Sequence, residues 1–283
     1  MNVLITGGSG RIGRYAVREM MQAGHNVTSV DVAPGMVPGV PALLVDLTDA
    51  GQVYGAIARS QAEAVIHLGA WANDDQVPDT RTYGDNVRGT FNVFQACADL
   101  GVRRIVSASS HQVYGTAIAP PLYVPIDEAH PLRPAGAYPL SKIAGEQAAA
   151  YFCAQKGLEI LSFRLLGIRT PDAMDAEIDR NLADPNAHKR LMWTRCDARD
   201  AAYACRLAVE AETIEPGPYN VTGQVNLLDR PSVDLVARYL PQTEIRDGLS
   251  DCDSPTSCAR ARRVFGYRPR YDWSVGERHP EDG

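Results

Sequence analysis

The stretch Thr6-Gly7-Gly8-Ser9-Gly10-Arg11-Ile12-Gly13 decides the fold, because of what flanks it. Before it, Asn2–Thr6 is a short apolar run that reads as a strand, and after it a helical run extends to Ala23. At such a junction glycines permit a tight turn, bring the backbone close to an anionic ligand and let the helix pack against the sheet. The helix start also offers free N–H groups to a phosphate. The loop fits two templates, one through Gly8, Gly10 and Gly13 and one through Gly7, Gly10 and Gly13.

Asp31 ends the next strand, near the ~20-residue spacing at which a carboxylate receives the ribose hydroxyls of a bound dinucleotide. A 2′-phosphate would be repelled there, and Val32-Ala33-Pro34-Gly35-Met36 brings no Arg or Lys to receive one. NAD is therefore the expected cofactor; the bland alternative is a glycine turn beside a solvated Asp. Further strands are expected at Asn26–Asp31, Ala42–Val45, Ala64–Leu68, Arg103–Ala108 and Glu159–Arg164, with Gly24, Gly101 and Gly157 ending the helices before three of them. Strands that are apolar on both faces and alternate with helices predict an α/β protein with a Rossmann-type doubly wound parallel sheet.

After Thr170 the rhythm loosens. Residues 171–196 read as a polar stretch, Asp197–Ala211 as a helix and Tyr219–Thr222 as a returning strand, with a frayed tail at Glu277–Gly283. The expected organisation is a cofactor domain over residues 1–170, its sheet completed by about 197–222. Residues 171–196 and 223–283 would form a small, interleaved C-terminal substrate-binding region.

The composition is that of an ordinary folded chain: 283 residues, 45% hydrophobic, 22% charged, and a net charge of −6. A mildly acidic balance disfavours nucleic acid and anionic membrane surfaces and leaves a small molecule as the expected partner. No run approaches the ~20 apolar residues of a membrane span, and the chain opens directly on a strand, so a cytoplasmic protein is expected. The six cysteines are scattered, with no Cys-x-x-Cys pair and no nearby His at ligand spacing; they read as reduced thiols, with neither a metal site nor a disulfide framework.

Tyr138-Pro139-Leu140-Ser141-Lys142 opens a helix running to about Gln155, which puts the phenol and the ammonium on one helix face. An ammonium and the positive nicotinamide of NAD⁺ would both favour phenolate and so make a usable base. An ordinary amphipathic helix carries the same pair. After the strand at Arg103–Ala108 comes Ser109-Ser110-His111-Gln112, at the sheet end where open α/β folds bind ligands, and Ser110 is the expected substrate-orienting hydroxyl.

Together the glycine loop, Asp31, Asp46-Leu47, His67-Leu68-Gly69-Ala70, Asn86-Val87-Arg88-Gly89-Thr90, Ser109-Ser110 with Val113-Tyr114-Gly115, and Tyr138 to Lys142 resemble the extended short-chain dehydrogenase/reductases. This NAD-dependent epimerase/dehydratase family is matched over roughly residues 1–170. The resemblance implies that Ser110, Tyr138 and Lys142 form a catalytic triad and that Gly7, Gly10, Arg11, Ile12, Gly13 and Asp31 hold the cofactor. It further implies that Asp46 and Leu47 bracket the adenine, that Leu68, Ala70 and Asn86 line the cofactor channel, and that Tyr138 and Lys142 touch the cofactor as well. The alternatives are Asp46 as a helix cap, Asn86 as a surface amide, and His67 and His111 as packed or locally satisfied residues. The family also implies a homodimer through the helices at Thr80–Leu100 and Tyr138–Gln155.

Where dehydratases of the family carry an acidic pair this chain has His111-Gln112, which disfavours dehydration. Within Arg164-Leu165-Leu166-Gly167-Ile168-Arg169-Thr170-Pro171, Gly167 replaces the family's substrate-contacting Asn, and the segment that follows is short for a nucleotide sugar. A free sugar, uronic acid, polyol or hydroxy acid fits better, with uronate dehydrogenases the nearest partial resemblance. Ser110, His111 and Arg164 are the candidate substrate contacts. Arg190, Arg195, Arg260, Arg262, Arg263, Arg268 and Arg270 read either as carboxylate or phosphate recognition or as a solvated face. The leading expectation is NAD-dependent oxidation of a secondary hydroxyl; the alternatives are an epimerase working by transient oxidation and a non-catalytic NAD-binding regulator.

Overall fold

The computed structural model describes residues 1–281. In chain order its elements begin with β1 (Asn2–Thr6), α1 (Gly13–Gln22), β2 (Asn26–Asp31), β3 (Ala42–Leu44), α2 (Ala50–Ser60), β4 (Ala64–His67), α3 (Asp79–Leu100) and β5 (Arg104–Ser110). They continue with β6 (Tyr123–Val124), α4 (Ala137–Lys156), β7 (Glu159–Leu165), α5 (Pro171–Ala183), α6 (Pro185–His188), α7 (Ala198–Glu210) and β8 (Gly217–Val221). The last three are α8 (Ser232–Tyr239), β9 (Glu244–Ile245) and α9 (Ala259–Phe265). Seven strands pair in the order β3-β2-β1-β4-β5-β7-β8, all in parallel, and β6 pairs with β9 apart from them. The order reverses between β1 and β4, the switch point at which a doubly wound sheet leaves a crevice beyond its carboxyl ends.

Strand alternation sorts the core into two layers. Val3, Ile5, Ile66 and Val106 face the α1 and α7 side, while Leu4, Val65 and Ile105 face the α2, α3 and α4 side. The expected helix stops hold: Gly101 and Gly157 end α3 and α4 in left-handed conformation, at φ 80° and 65°.

Two expectations need correction. Residues 171–196, read as a polar stretch, are largely helical. Pro171 starts α5 at a position that needs no N–H, and Met174 and Ile178, one turn apart, bury against Leu227 and Trp273. The expected frayed tail is tied down as far as it is described. Arg199 donates to the His279 and Pro280 carbonyls at 2.9 and 2.8 Å, Arg278 pairs with Asp175 at 3.2 Å, and Tyr15 hydrogen-bonds Glu281. Residues 282–283 lie outside the described part.

Because β8 enters the main sheet, residues 171–196 and 223–281 flank a piece of it in sequence. A separate apolar cluster joins them above the end of β5: Val113 and Tyr114 pack with Trp193, Leu228 and Leu235. Among the described residues no helix is long and apolar enough to cross a membrane.

Candidate active site

At the carboxyl ends of the strands opens a cleft of about 830 Å³. It runs from Gly7, Gly10, Arg11, Ile12 and Gly13 past Asp31, Asp46, Leu47, Leu68, Ala70 and Asn86 to Ser110, His111, Tyr138 and Lys142. The positions expected to hold a cofactor and those expected to do chemistry therefore share one space.

At its first end the backbone is crowded. A Cβ on Gly7 would lie 2.7 Å from the Gly69 nitrogen, and one on Gly13 would overlap the Gly7 carbonyl. Helix α1 has no side-chain cap, and its first amide with an acceptor among the described residues is that of Arg14, 3.2 Å from the Gly10 carbonyl. The Arg11, Ile12 and Gly13 N–H groups are left for a ligand, the donor set that a pyrophosphate requires. Asp31 accepts from the Ser9 and Ala33 amides at 3.0 and 3.1 Å, which aims its carboxylate along the cleft wall with lone pairs remaining for ribose hydroxyls. These residues fit a dinucleotide.

Asp46 also lines the cleft, its carboxylate held by the Thr48 amide and hydroxyl at 2.9 and 2.8 Å. It does not cap α2, a task performed by Asp49 through the Gln52 amide at 3.1 Å. Leu47 packs against Gly69, where a Cβ would collide with its side chain. Asn86 is neither a surface amide nor a free channel donor. Its oxygen accepts the Trp71 N–H at 2.8 Å, and its nitrogen donates to the Trp71 carbonyl and to Ser141 at 3.0 and 3.1 Å, stitching the loop after β4 to α4.

At the other end Tyr138 and Lys142 share the buried first turn of α4. The Lys142 Nζ donates to the Ala108 carbonyl at 2.9 Å and lies 5.6 Å from the Tyr138 ring centre. Ser110, the last residue of β5, lines the same end of the cleft as the phenol. In the protein alone, burial pushes the phenol up to about 12, Ser110 opposing and the charge of Asp74 adding to the rise. Burial also draws the Lys142 ammonium down to about 8. Asp74 is not legible in the sequence: it comes from the loop after β4 and meets the backbone of Tyr138, and only the folded chain brings them together.

His67 is the packed strand residue anticipated, its ring spanning Thr6 at 2.8 Å and Thr90 at 3.1 Å, and burial drops it to about 3. His111 lines the cleft with its Nε2 3.2 Å from the Thr256 hydroxyl and its buried Nδ1 without a partner among the described residues. Burial chiefly, helped by His130 and Arg164, holds it neutral to about 3.

Arg164, expected among the substrate contacts, does not line the cleft. Side chains alternate along β7, so Leu165 lines the cleft while Arg164 turns into the α4 face, bonding Glu146 at 2.7 and 2.9 Å and the Tyr114 hydroxyl at 2.9 Å. The arginine-rich set does not converge on the cleft either. Arg195 is buried on Glu177, Arg260 and Arg263 reach the 215–218 segment, and Arg270 lies near Glu19.

A family model described as NAD dependent epimerase/dehydratase family matches residues 3–222. L-arabinose 1-dehydrogenase (NAD(P)(+)) of Haloferax volcanii is 29% identical over 282 residues, 95% of this chain and 96% of that protein. Uronate dehydrogenase of Pseudomonas putida is 29% identical over 167 residues, 58% of this chain and 59% of that enzyme. Among solved structures, a short-chain dehydrogenase/reductase superfamily protein from Agrobacterium tumefaciens with bound NAD superposes with a TM-score of 0.72 at 25% identity, covering 95% of this chain and 92% of the other.

Proposed function

Since the chain belongs to the NAD dependent epimerase/dehydratase family, as an enzyme of the extended short-chain dehydrogenase/reductase type, we propose that it oxidises a secondary hydroxyl of a small free sugar or sugar acid with Ser110, Tyr138 and Lys142 as its catalytic residues. The observation that carries this reading is the meeting of Tyr138, Lys142 and Ser110 at one end of a cleft whose other end is a glycine cradle with an acidic ribose site. End-to-end similarity to a free-sugar dehydrogenase and the short 171–196 segment support the small substrate.

Bound in the cleft, NAD⁺ supplies a hydride acceptor and a positive charge. Tyr138 takes the proton of the substrate hydroxyl at its phenolic oxygen, a step that needs positive charge nearby to counter the burial holding it as phenol. Lys142 provides part of that charge from four residues along the same helix. Ser110 donates a hydrogen bond to the oxygen as it becomes a carbonyl. His111, neutral and next to Ser110 in sequence, lines the cleft wall on the side where a second substrate oxygen would lie.

The family covers epimerases too, and the same residues would serve a transient oxidation followed by return of the hydride. The deciding experiment follows the NADH absorbance band with NAD⁺ against aldoses, uronic acids, polyols and nucleotide sugars. Net NADH with a free sugar or sugar acid supports the dehydrogenase; isomerised nucleotide sugar without net NADH replaces it by the epimerase.

We further propose a homodimer built on α3 and α4, which expose Tyr83, Phe91, Leu140 and Tyr151. Sedimentation equilibrium of wild type and of Phe91→Glu checks this, and a monomeric wild type refutes it.

A further inference from the structure

We propose that Arg169 is a second anion-binding arm of the cofactor cleft, gripping the cofactor's pyrophosphate together with Arg11. The proposal rests on the cofactor reading of this cleft and adds to it a residue from the β7–α5 connection, outside the glycine loop. Gly167, Ile168 and Arg169 all line the cleft. Arg169 is pinned by its own backbone, its N–H reaching the Cys196 carbonyl at 3.0 Å and its carbonyl accepting the Ala198 N–H at 2.8 Å. The Ile168 carbonyl accepts from Arg169 at 3.0 Å and from Arg11 at 3.4 Å, so two guanidiniums converge on one oxygen. Arg11 stands two residues before α1, whose leading amides have no acceptor among the described residues, and Ile12 packs in the same apolar cluster as Ile168.

The charge balance points the same way. The buried Glu177 carboxylate serves three guanidiniums: Arg195 on one oxygen, Arg169 at 2.9 Å and Arg180 at 2.6 Å on the other. Arg195 and Glu177 are almost wholly buried and satisfy one another, and Arg180 is exposed to solvent. Arg169 fronts the cleft sharing a carboxylate already matched, and among the described residues no second carboxylate pairs with any of the three. The Arg169 side chain keeps 27% of its surface exposed while lining the cleft, so an anion there gives it a charge-assisted partner of its own without burying a new charge. Phosphate oxygens are favoured over a substrate carboxylate because Arg169's neighbours are Arg11 and the start of α1, whereas Ser110, Tyr138 and Lys142 come from β5 and α4. A planar guanidinium can meet two phosphate oxygens at once.

The test measures dissociation constants of NAD⁺, ADP and adenosine by calorimetry or competition for wild type, Arg169→Gln and Arg169→Lys, with thermal melts of each unliganded protein. Removing a charge-assisted hydrogen bond to the pyrophosphate predicts NAD⁺ and ADP binding about tenfold to hundredfold weaker in Arg169→Gln, with adenosine unchanged and Arg169→Lys in between. Equal weakening of all three ligands, or of none, overturns the proposal. So does an unchanged NAD⁺ affinity accompanied by a raised KM for a sugar acid, which would make Arg169 a substrate-carboxylate contact. A wild-type chain that binds neither NAD⁺ nor ADP overturns the cofactor reading itself.

Discussion

The carboxylate of Asp74 accepts the backbone N–H of Tyr138 at 2.5 Å, so a loop after β4 caps the helix that carries the proposed base. Helix α4 has no side-chain cap of its own, starting after Gly136 at φ 121°. Loss of such a cap costs about 1 kcal/mol, so Asp74→Ala should lower thermal stability by that order and reduce kcat several-fold. The negative charge also raises the Tyr138 pKa, so its removal should move the acid limb of the kcat profile to lower pH. Asp74→Asn separates the effects, restoring the cap while keeping the pH shift. An unchanged profile in both variants would remove Asp74 from the chemistry.

Tyr138→Phe should lower turnover by about 10²–10⁴-fold, the usual scale for removing a general base, and leave NAD⁺ affinity close to wild type by calorimetry. Near-wild-type turnover would sink the proposed role.

Wild type should favour NAD⁺ over NADP⁺, because Asp31 sits where a 2′-phosphate would bring like charge. Replacing Asp31 by Ser should shift the ratio of kcat/KM values toward NADP⁺ by roughly tenfold or more, since one charge–charge repulsion is removed. Steady-state kinetics with both cofactors reads this directly.

His67 and His111 titrate near 3 in the folded chain and near ~6.5 when unfolded. Between those values the unfolded chain binds protons that the folded one refuses. Stability is therefore full above the unfolded value and falls on acidification, by up to about 1.4 kcal/mol per pH unit for each histidine. Asp200, raised to about 7 chiefly by burial, acts oppositely, since its folded form holds a proton that the unfolded form has released. Urea denaturation at pH 7, 6 and 5 should show a shallower acid loss in His67→Asn and a steeper one in Asp200→Asn.

Arg164→Met should destabilise the fold by about 3–5 kcal/mol, because it strands Glu146 without its buried partner, while KM measured on the folded fraction stays near wild type. A selective rise in KM would return Arg164 to the substrate contacts.

Local signals make the cofactor half readable. A glycine loop between a strand and a helix, a carboxylate ending the second strand, and Tyr138 four residues before Lys142 each carry their meaning within a few turns of chain. Arg164 misleads because its position at a strand end says nothing about which side of the sheet it faces. Pairing settles that: Ser109 stands opposite Arg164 and both reach Glu146, while Ser110 stands opposite Leu165 beside the cleft. Residues 171–196 conceal their helices because α5 turns a charged residue, Glu177, inward with Met174 and Ile178, blurring its apolar stripe. Asp74 and Arg169 draw their significance from partners remote in sequence, and neither belongs to a local motif.

The entry of β8 into the sheet between residues 171–196 and 223–281 bears on how such an enzyme can be recombined. The region beyond the cofactor domain is not a cassette. A single crossover with a relative, placed between the two segments, would join Met174 and Ile178 of one parent to Leu227 and Trp273 of the other and leave their shared apolar packing to chance. A working chimera must exchange both segments around a retained strand, so the two halves of this region are inherited as a matched pair.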